Sequence, residues 1–177
     1  MKGQKMDGSI QVYYGNGRGK TTAALGLGIR AAGVGKQVIM VQFLKKKHSD
    51  TLDFLKKLEP ELQIFRFEKA ACGYSDLNPK EKQEQMLNIK NALGYSRKVL
   101  DTGQCDLLIL DEIFGLVDYN IITIEELMDL IAVKKDSMDL ILTGRNLPEE
   151  VREVADCVYS IQREKERTPE ILAQGIS

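Results

Sequence analysis

The segment that decides the fold reads Gly15-Asn16-Gly17-Arg18-Gly19-Lys20-Thr21-Thr22. It follows a short apolar run at residues 10–14 and comes just before a helical pattern that begins near Thr21. Glycines let the backbone curl tightly and turn its N–H groups inward, and the start of a helix adds a partial positive charge. A strand, a glycine-rich loop and a helix in this order form a cradle for phosphate groups. The segment therefore predicts binding of a nucleoside triphosphate.

The loop departs from the usual phosphate-loop pattern at one position. In G-x-x-x-x-G-K-[ST], with Gly19 and Lys20 fixed, the first glycine would fall where this chain has Tyr14. The glycines lie further in, at Gly15 and Gly17. A glycine-rich turn that merely starts a helix is the alternative, but Gly-Lys-Thr-Thr at this point favours nucleotide binding. We interpret the shift as the mark of a specialised cradle.

Composition narrows the class of protein. The chain has 177 residues, 43% hydrophobic and 29% charged, which is ordinary for a soluble globular protein. A net charge of −1 argues against nucleic-acid binding through a strong basic field. No apolar run has the length of a membrane span, and the polar N-terminus lacks the core of a signal peptide, so we expect a cytoplasmic protein. Cys72, Cys105 and Cys157 lack metal-ligand spacing and are expected to be reduced thiols, with Cys105 and Cys157 in the core.

Apolar runs and helical patterns alternate along the chain. The predicted strands cover residues 10–14, 37–43, 63–67, 107–110, 140–143 and 157–161. The predicted helices cover residues 21–32 and 79–100, with further helices expected behind Thr123 and Pro148. This alternation predicts an α/β fold of the P-loop NTPase type, with a mostly parallel sheet of five to six strands and helices on both faces. We expect one nucleotide-binding domain over residues 1–162 and a charged C-terminal tail over residues 163–177.

Polar side chains follow several of the predicted strands. Asp111 and Glu112 follow the apolar run at residues 107–110, and Arg145 follows Thr143 at another strand end. The carboxyl ends of parallel strands meet at one edge of the sheet, where ligands bind. A carboxylate there can hold Mg²⁺, and an arginine can stabilise phosphate charge. For Arg145 a surface role is equally open. Gln42, at the end of the second strand, either reaches the same crevice or is a buried polar residue with a local partner.

These observations define a predicted site. Lys20 is expected to reach the outer phosphates, and the Thr21 hydroxyl to hold Mg²⁺. The predicted nucleotide-binding residues are Gly15, Asn16, Gly17, Arg18, Gly19, Lys20, Thr21, Thr22 and Arg145. The predicted metal ligands are Thr21, Asp111 and Glu112, and the predicted catalytic residues are Lys20, Arg18 and Glu112.

Several of these motifs together resemble a known family. Residues 14–26, Tyr-Gly-Asn-Gly-Arg-Gly-Lys-Thr-Thr-Ala-Ala-Leu-Gly, resemble the signature of the P-loop ATP:corrinoid adenosyltransferases of cobalamin biosynthesis. Further matching segments, in the same order and spacing, lie at residues 30–36, 41–43, 110–112 and 143–145. The resemblance extends from about residue 10 to 160, and its Gly-Asn-Gly-x-Gly-Lys-Thr-Thr form accounts for the missing glycine at position 14.

The resemblance implies a definite reaction. Members of the family transfer the 5′-deoxyadenosyl group of ATP to a reduced corrinoid, whose Co(I) attacks C5′ and releases triphosphate. Lys20, Arg18 and Arg145 would then neutralise the leaving group, while Asp111 and Glu112 would serve Mg²⁺ and the nucleotide. The resemblance also implies ATP held in reversed polarity, a flavoprotein electron donor and a homodimer.

Three segments differ from the family pattern. The loop after Gln42 and Phe43 is Lys-rich, with the basic run at residues 45–47, and lacks the family's usual Lys-Gly-x-Trp form. The aromatic segment after the third strand corresponds here to residues 71–75, Ala-Cys-Gly-Tyr-Ser, where Tyr74 is the candidate for removing the lower ligand of the corrinoid. The tail at residues 163–177 replaces the family's C-terminal segment. Two other functions stay open at this point. One is a small-molecule kinase or hydrolytic NTPase with Glu112 as base, and the other is a non-catalytic ATP-binding paralogue.

Overall fold

The computed structural model describes residues 7–45, 55–67 and 77–165. Its strands are β1 (Ile10–Tyr14), β2 (Val38–Gln42), β3 (Leu62–Arg66), β4 (Leu107–Asp111), β5 (Asp139–Gly144) and β6 (Cys157–Ser160). Its α-helices are α1 (Lys20–Gly33), α2 (Pro79–Thr102), α3 (Ile113–Asp118), α4 (Ile124–Ala132) and α5 (Glu149–Val154). A short 3₁₀ helix covers Lys56–Leu58. The division into a domain over residues 1–162 and a tail from residue 163 stays a prediction.

The six strands form one sheet in the order β3-β2-β4-β5-β1-β6. Every neighbouring pair is parallel, which confirms the predicted parallel sheet. The carboxyl ends of β2, β4, β5 and β1 therefore follow one another along a single edge. The segments that leave these strands are the ones that the sequence marked as polar, so the fold brings them to one crevice.

Helices cover both faces of the sheet, as predicted. Alternate residues of each strand point to opposite faces, so Val38 and Met40 pack on one side and Ile39 and Val41 on the other. Helix α1 covers the first side through Ala24 and its neighbours. Helices α2 to α5 supply the buried residues of the second side. Burial on both faces explains why the strands are continuous apolar runs rather than alternating ones.

Helix α1 lies close against the sheet because small residues face it. A Cβ added at Gly28 would meet Ile109 Cδ1 at 3.1 Å and Val38 Cγ1 at 3.4 Å. The glycine-rich and alanine-rich composition of α1 is thus a packing feature. This close approach holds the first turn of α1 beside the ends of β1 and β4.

Two longer helices have the ends that their sequences specify. Thr123 accepts a hydrogen bond from the backbone N–H of Glu126, and the Glu126 carboxylate accepts one from the N–H of Thr123, so a capping box starts the helix that was expected behind Thr123. Asn78 and Glu81 form a second such box at the start of α2. This second box was not predicted. Gly103, at φ 66°, ends α2 two residues beyond the predicted helix at residues 79–100.

The prediction that both Cys105 and Cys157 are core residues is half wrong. Cys105 is buried, but Cys157 is exposed. Strand β6 lies at the edge of the sheet, where it pairs only with β1, so its side chains are covered from fewer sides. Burial raises the pKa of the Cys105 thiol to about 12, so this thiol stays protonated and unreactive.

Candidate active site

The loop between β1 and α1 is a compact turn held against its neighbours. Gly15 has φ 121° and Gly19 has φ 115°, a region that side-chain-bearing residues rarely adopt. The Gly15 N–H donates to the carbonyl oxygens of Gly144 at 3.2 Å and Arg145 at 3.0 Å, which ties the loop to the end of β5. A Cβ at Gly15 would lie 2.3 Å from the carbonyl oxygen of Ile161. The glycine is needed at position 15 because the backbone after β6 crosses there.

Tyr14 fits where a phosphate loop usually has its first glycine. It is the last residue of β1 and pairs with Gly144 of β5. The strand therefore continues through position 14, and the turn starts one residue later. This geometry explains the inward shift of the glycines that the sequence showed.

Lys20 reaches back over the loop from the first residue of α1. Its Nζ donates to the carbonyl oxygens of Gly15 at 2.6 Å and Gly17 at 3.0 Å. Burial is the main cause that lowers the pKa of Lys20; Glu112 opposes it, and the charge of Arg145 lowers the pKa further. Glu112 and Arg145 therefore both lie within electrostatic reach of Lys20. The cluster is rich in positive charge, which suits a polyphosphate.

Asp111 is the centre of a polar network at the carboxyl edge. The residue is fully buried at the end of β4. Its Oδ1 accepts hydrogen bonds from Thr21 Oγ1 at 2.9 Å and Thr143 Oγ1 at 2.7 Å, and its Oδ2 accepts one from Gln42 Nε2 at 3.0 Å. A buried carboxylate is tolerated only when such donors replace water. The network joins the starts of α1 and α3 to the ends of β2, β4 and β5.

Gln42 links this network to β3. Its Oε1 accepts from Arg66 Nη2 at 2.7 Å and Arg66 Nε at 3.1 Å, while its Nε2 donates to Asp111. The guanidinium thus fixes which end of the amide faces the carboxylate. Both interpretations of Gln42 that the sequence left open are therefore correct. The residue is buried and has local partners, and its side chain also reaches the crevice.

Glu112 has a different environment from Asp111. It has φ 62° and stands just before α3, a left-handed conformation that is uncommon for a residue with a side chain. Its backbone N–H donates to Thr143 Oγ1 at 2.8 Å, which holds this turn. The turn directs the chain into α3 directly after β4. Of the two carboxylates among the predicted metal ligands, Asp111 is enclosed and Glu112 is partly exposed.

The oxygen atoms of Thr21 and Asp111 fit a hard divalent cation. Among the described residues, no group of three or more His, Cys, Asp or Glu side chains could hold a metal by itself. Mg²⁺, however, commonly binds one or two protein oxygens and takes its other ligands from phosphates and water. A threonine hydroxyl that donates its proton to a buried carboxylate keeps lone pairs for such a cation. The donor set therefore suits Mg²⁺ bound together with a nucleotide.

Not every predicted site residue belongs to the buried network around Asp111. Asn16 Oδ1 accepts a hydrogen bond from the N–H of Arg163 at 3.2 Å, so its side chain anchors the segment after β6. Arg18 is exposed and lines an open groove of about 530 Å³ with residues 162–165. Thr22 and Arg145 are exposed. Residues 71–75, with Tyr74, and residues 166–177 lie outside the described part of the chain.

Sequence reasoning missed two side chains of the network. Arg66 was only a residue of the predicted strand at residues 63–67, although its position at a strand end was a signal. Lys45 was noted only as part of a basic run. In the structure, Lys45 Nζ lies 3.1 Å from Thr21 Oγ1 and 3.5 Å from Asp111 Oδ2.

Comparison with known proteins assigns the family. The family described as ATP:corrinoid adenosyltransferase BtuR/CobO/CobP matches residues 6–176. This chain belongs to that family. The corrinoid adenosyltransferase of Escherichia coli K12 is 30% identical over 155 residues, which cover 88% of this chain and 76% of that protein. Corrinoid adenosyltransferase CobA of Salmonella typhimurium LT2 is 30% identical over 159 residues, which cover 90% and 79%.

Membership in the adenosyltransferase family confirms the resemblance found in the sequence and makes the chain a transferase. A solved structure supports the fold independently. A KaiC-like protein from Pyrococcus horikoshii OT3 superposes with a TM-score of 0.59 over 92% of this chain and 76% of that one, at 19% identity. The fold is thus of the P-loop NTPase type. Among the described residues, no helix has both the length and the apolar character needed to cross a membrane.

Proposed function

We propose that this chain transfers the 5′-deoxyadenosyl group of ATP to the Co(I) of a reduced corrinoid and releases triphosphate. In this reaction the electron pair of Co(I) forms the bond to C5′. The C5′–O bond breaks, and its electrons leave on the oxygen of the triphosphate. The observation that carries the proposal is a phosphate loop of the family's own form, with Lys20 and Arg145 grouped around it.

The loop residues act on the leaving group. The glycine-rich backbone of residues 15–19 supplies N–H donors, and Lys20, Arg18 and Arg145 supply positive charge. Groups placed where negative charge develops lower the barrier, because they stabilise the transition state more than the ground state. In this scheme no carboxylate has to activate a water molecule. Glu112 therefore serves to orient the nucleotide and the metal.

Mg²⁺ is the proposed cofactor, held by Thr21 and Asp111 with Glu112 close by. When bound, it neutralises phosphate charge on the leaving group. Asp111 is suited to this role because its buried carboxylate already accepts the Thr21 hydroxyl proton, which turns the lone pairs of that hydroxyl toward the ligand. We also propose a flavoprotein as electron donor and a homodimer as the active form, both on the family resemblance.

A spectroscopic assay tests the function. The full-length protein is mixed with Mg²⁺, ATP and chemically reduced corrinoid, absorbance is followed for the cobalt–carbon bond, and phosphate products are separated. We expect adenosylated corrinoid and triphosphate in equal amounts. ADP and phosphate without a cobalt–carbon bond would instead indicate a hydrolase, and phosphoryl transfer from ATP to an added nucleoside would indicate a kinase. Tight ATP binding without any product would indicate a non-catalytic paralogue.

A further inference from the structure

Lys45 lies where a cation bound to the Thr21–Asp111 pair would lie. Its Nζ is 3.1 Å from Thr21 Oγ1 and 3.5 Å from Asp111 Oδ2. The Lys45 side chain is 29% exposed, whereas that of Asp111 is fully buried. The ammonium group thus closes the open side of the network at the atoms that the proposed function assigns to Mg²⁺.

The position of Lys45 is fixed by the backbone before it. Phe43 is buried, and its N–H donates to the carbonyl oxygen of Asp111 at 2.9 Å. Leu44 then turns the chain with φ 54°, and its side chain packs against Gly115, where an added Cβ would lie 2.6 Å from Leu44 Cδ1. A leucine adopts this conformation only where its surroundings hold it. The turn brings Lys45 back over the end of β4 instead of letting it point into solvent.

The charges explain why an ammonium is found there. Thr21, Thr143 and Gln42 are neutral donors, so they satisfy the geometry of the Asp111 carboxylate but not its charge. A buried charge without a counter-ion is costly. Lys45 provides the compensating charge from within the chain.

Lys45 and a divalent cation would use the same atoms. The Thr21 hydroxyl has one proton, which goes to Asp111, and its remaining lone pairs accept from Lys45. A metal needs such a lone pair and the same region of negative potential. The ammonium and the metal therefore exclude each other.

We propose that Lys45 is an internal counter-ion that occupies the divalent-cation position and must leave before Mg²⁺ binds. This inference rests on the Mg²⁺ site of the proposed function. It makes metal binding dependent on the nucleotide, because the triphosphate offers the displaced ammonium a new negative partner. Without nucleotide, the site disfavours free Mg²⁺.

The test measures metal affinity in the nucleotide-free, full-length protein. Mn²⁺, a paramagnetic substitute for Mg²⁺, is titrated and the free ion is counted by electron paramagnetic resonance. Lys45→Met is expected to bind Mn²⁺ at least about tenfold more tightly than the wild type, because a competing charge at contact distance is removed. Misfolding does not produce a gain of this kind.

Four further variants complete the test: Lys45→Arg, Lys135→Met, Thr21→Ala, and Thr21→Ala combined with Lys45→Met. Lys45→Arg keeps the charge and should match the wild type. Lys135→Met removes a surface lysine paired with Asp101 at 3.7 Å and should also match it. Adding Thr21→Ala to Lys45→Met should cancel the gain.

Equal affinity in Lys45→Met and wild type, with weaker binding in Thr21→Ala, would overturn the inference and leave the metal site standing. A gain that survives Thr21→Ala would overturn both, since the metal would then bind elsewhere.

Discussion

At the scale of single residues, the site contains two groups of side chains with different roles, one around Asp111 and one around Lys20. Asp111 is enclosed and fully hydrogen-bonded, so it organises Thr21, Thr143 and Gln42. Lys20 lies over the loop carbonyls, with Glu112 and Arg145 in electrostatic reach. The first group fixes the geometry of the site, and the second is the group that we propose to neutralise the triphosphate.

Lys20 carries the clearest prediction at this scale. Lys20→Ala removes the ammonium that stabilises the leaving group, so the rate of adenosyl transfer should fall by about 10²-fold or more. The rate is measured under single-turnover conditions with saturating ATP and reduced corrinoid. Lys135→Ala, a change at an exposed ion pair, is the matched control and should keep the normal rate. An unchanged rate in Lys20→Ala would refute its role.

The sequence placed Thr21 and Asp111 in the same predicted metal site because both follow rules of position. One starts the helix after the phosphate loop, and the other ends a buried parallel strand, so the fold must bring them to one edge. The place of Lys45 followed no such rule. It depends on the left-handed backbone at Leu44, which is a tertiary effect that no local pattern encodes.

At the scale of elements, helix α1 shows where close packing against the sheet requires glycine. Gly26 and Gly28 lie two residues apart in α1 but differ in environment. Gly28 is buried against Ile109 and Val38, whereas an added Cβ at Gly26 meets no atom within 4 Å. Gly28 therefore allows α1 to pack closely against the sheet, whereas Gly26 has no packing role and only lowers the stability of the helix.

Gly26→Ala should stabilise the protein by about 0.5–1 kcal/mol, because alanine lowers the entropy of the unfolded chain and favours the helix. For a chain of this size the melting temperature should rise by roughly 1–4 °C. Gly28→Ala should gain less or lose stability, since its Cβ would lie 3.1 Å from Ile109 Cδ1. Differential scanning calorimetry of the two variants and the wild type measures these changes in melting temperature. Equal gains would show that α1 is not closely packed at Gly28.

The short helix α3 shows why some elements could not be predicted from the sequence. It covers six residues, begins directly after Glu112, and contains Gly115. Its buried residues Phe114 and Leu116 have no helical repeat long enough to recognise. The longer α2 and α4 were predicted, because each has several turns of apolar spacing and a recognisable end.

At the scale of the whole molecule, the edge of the sheet opposite the site is held by Asp139. This carboxylate accepts hydrogen bonds from the Ser9 N–H at 2.9 Å and the Lys36 Nζ at 3.0 Å, which joins the starts of β5, β1 and β2. Burial acts to raise the pKa of Asp139, but the bonds from Ser9 and Lys36 outweigh it, so the pKa lies below its usual value. The ionised form therefore favours the folded state.

This sign gives a pH-dependent prediction. A lowered folded-state pKa contributes stability that is present above the unfolded pKa of about 3.9 and is lost as pH falls through the folded value. Asp139→Asn should therefore lower the melting temperature at pH 7 by roughly 1–4 °C, as expected for a partly exposed pair. The difference from wild type should shrink below about pH 4. Asp101→Asn, at the exposed pair with Lys135, should change little. A deficit that stays constant down to pH 3 would contradict the assignment.

The global architecture was the most predictable level. Continuous apolar strands alternating with helices allow few arrangements other than a parallel sheet covered on both faces, and the structure has that arrangement. The exposure of Cys157 was not predictable, because the sequence does not state which strand lies at the edge.

The central claim is that carbon, and not phosphorus, is attacked while the loop at residues 15–22 holds the triphosphate. ATP labelled with ¹⁸O at the 5′ oxygen tests this claim directly. The labelled ATP is allowed to react with reduced corrinoid, and mass spectrometry determines which product carries the label. Cleavage of the C5′–O bond predicts that all of the label leaves with the triphosphate. Label retained on a nucleoside or nucleotide product would show attack at phosphorus and would contradict the account.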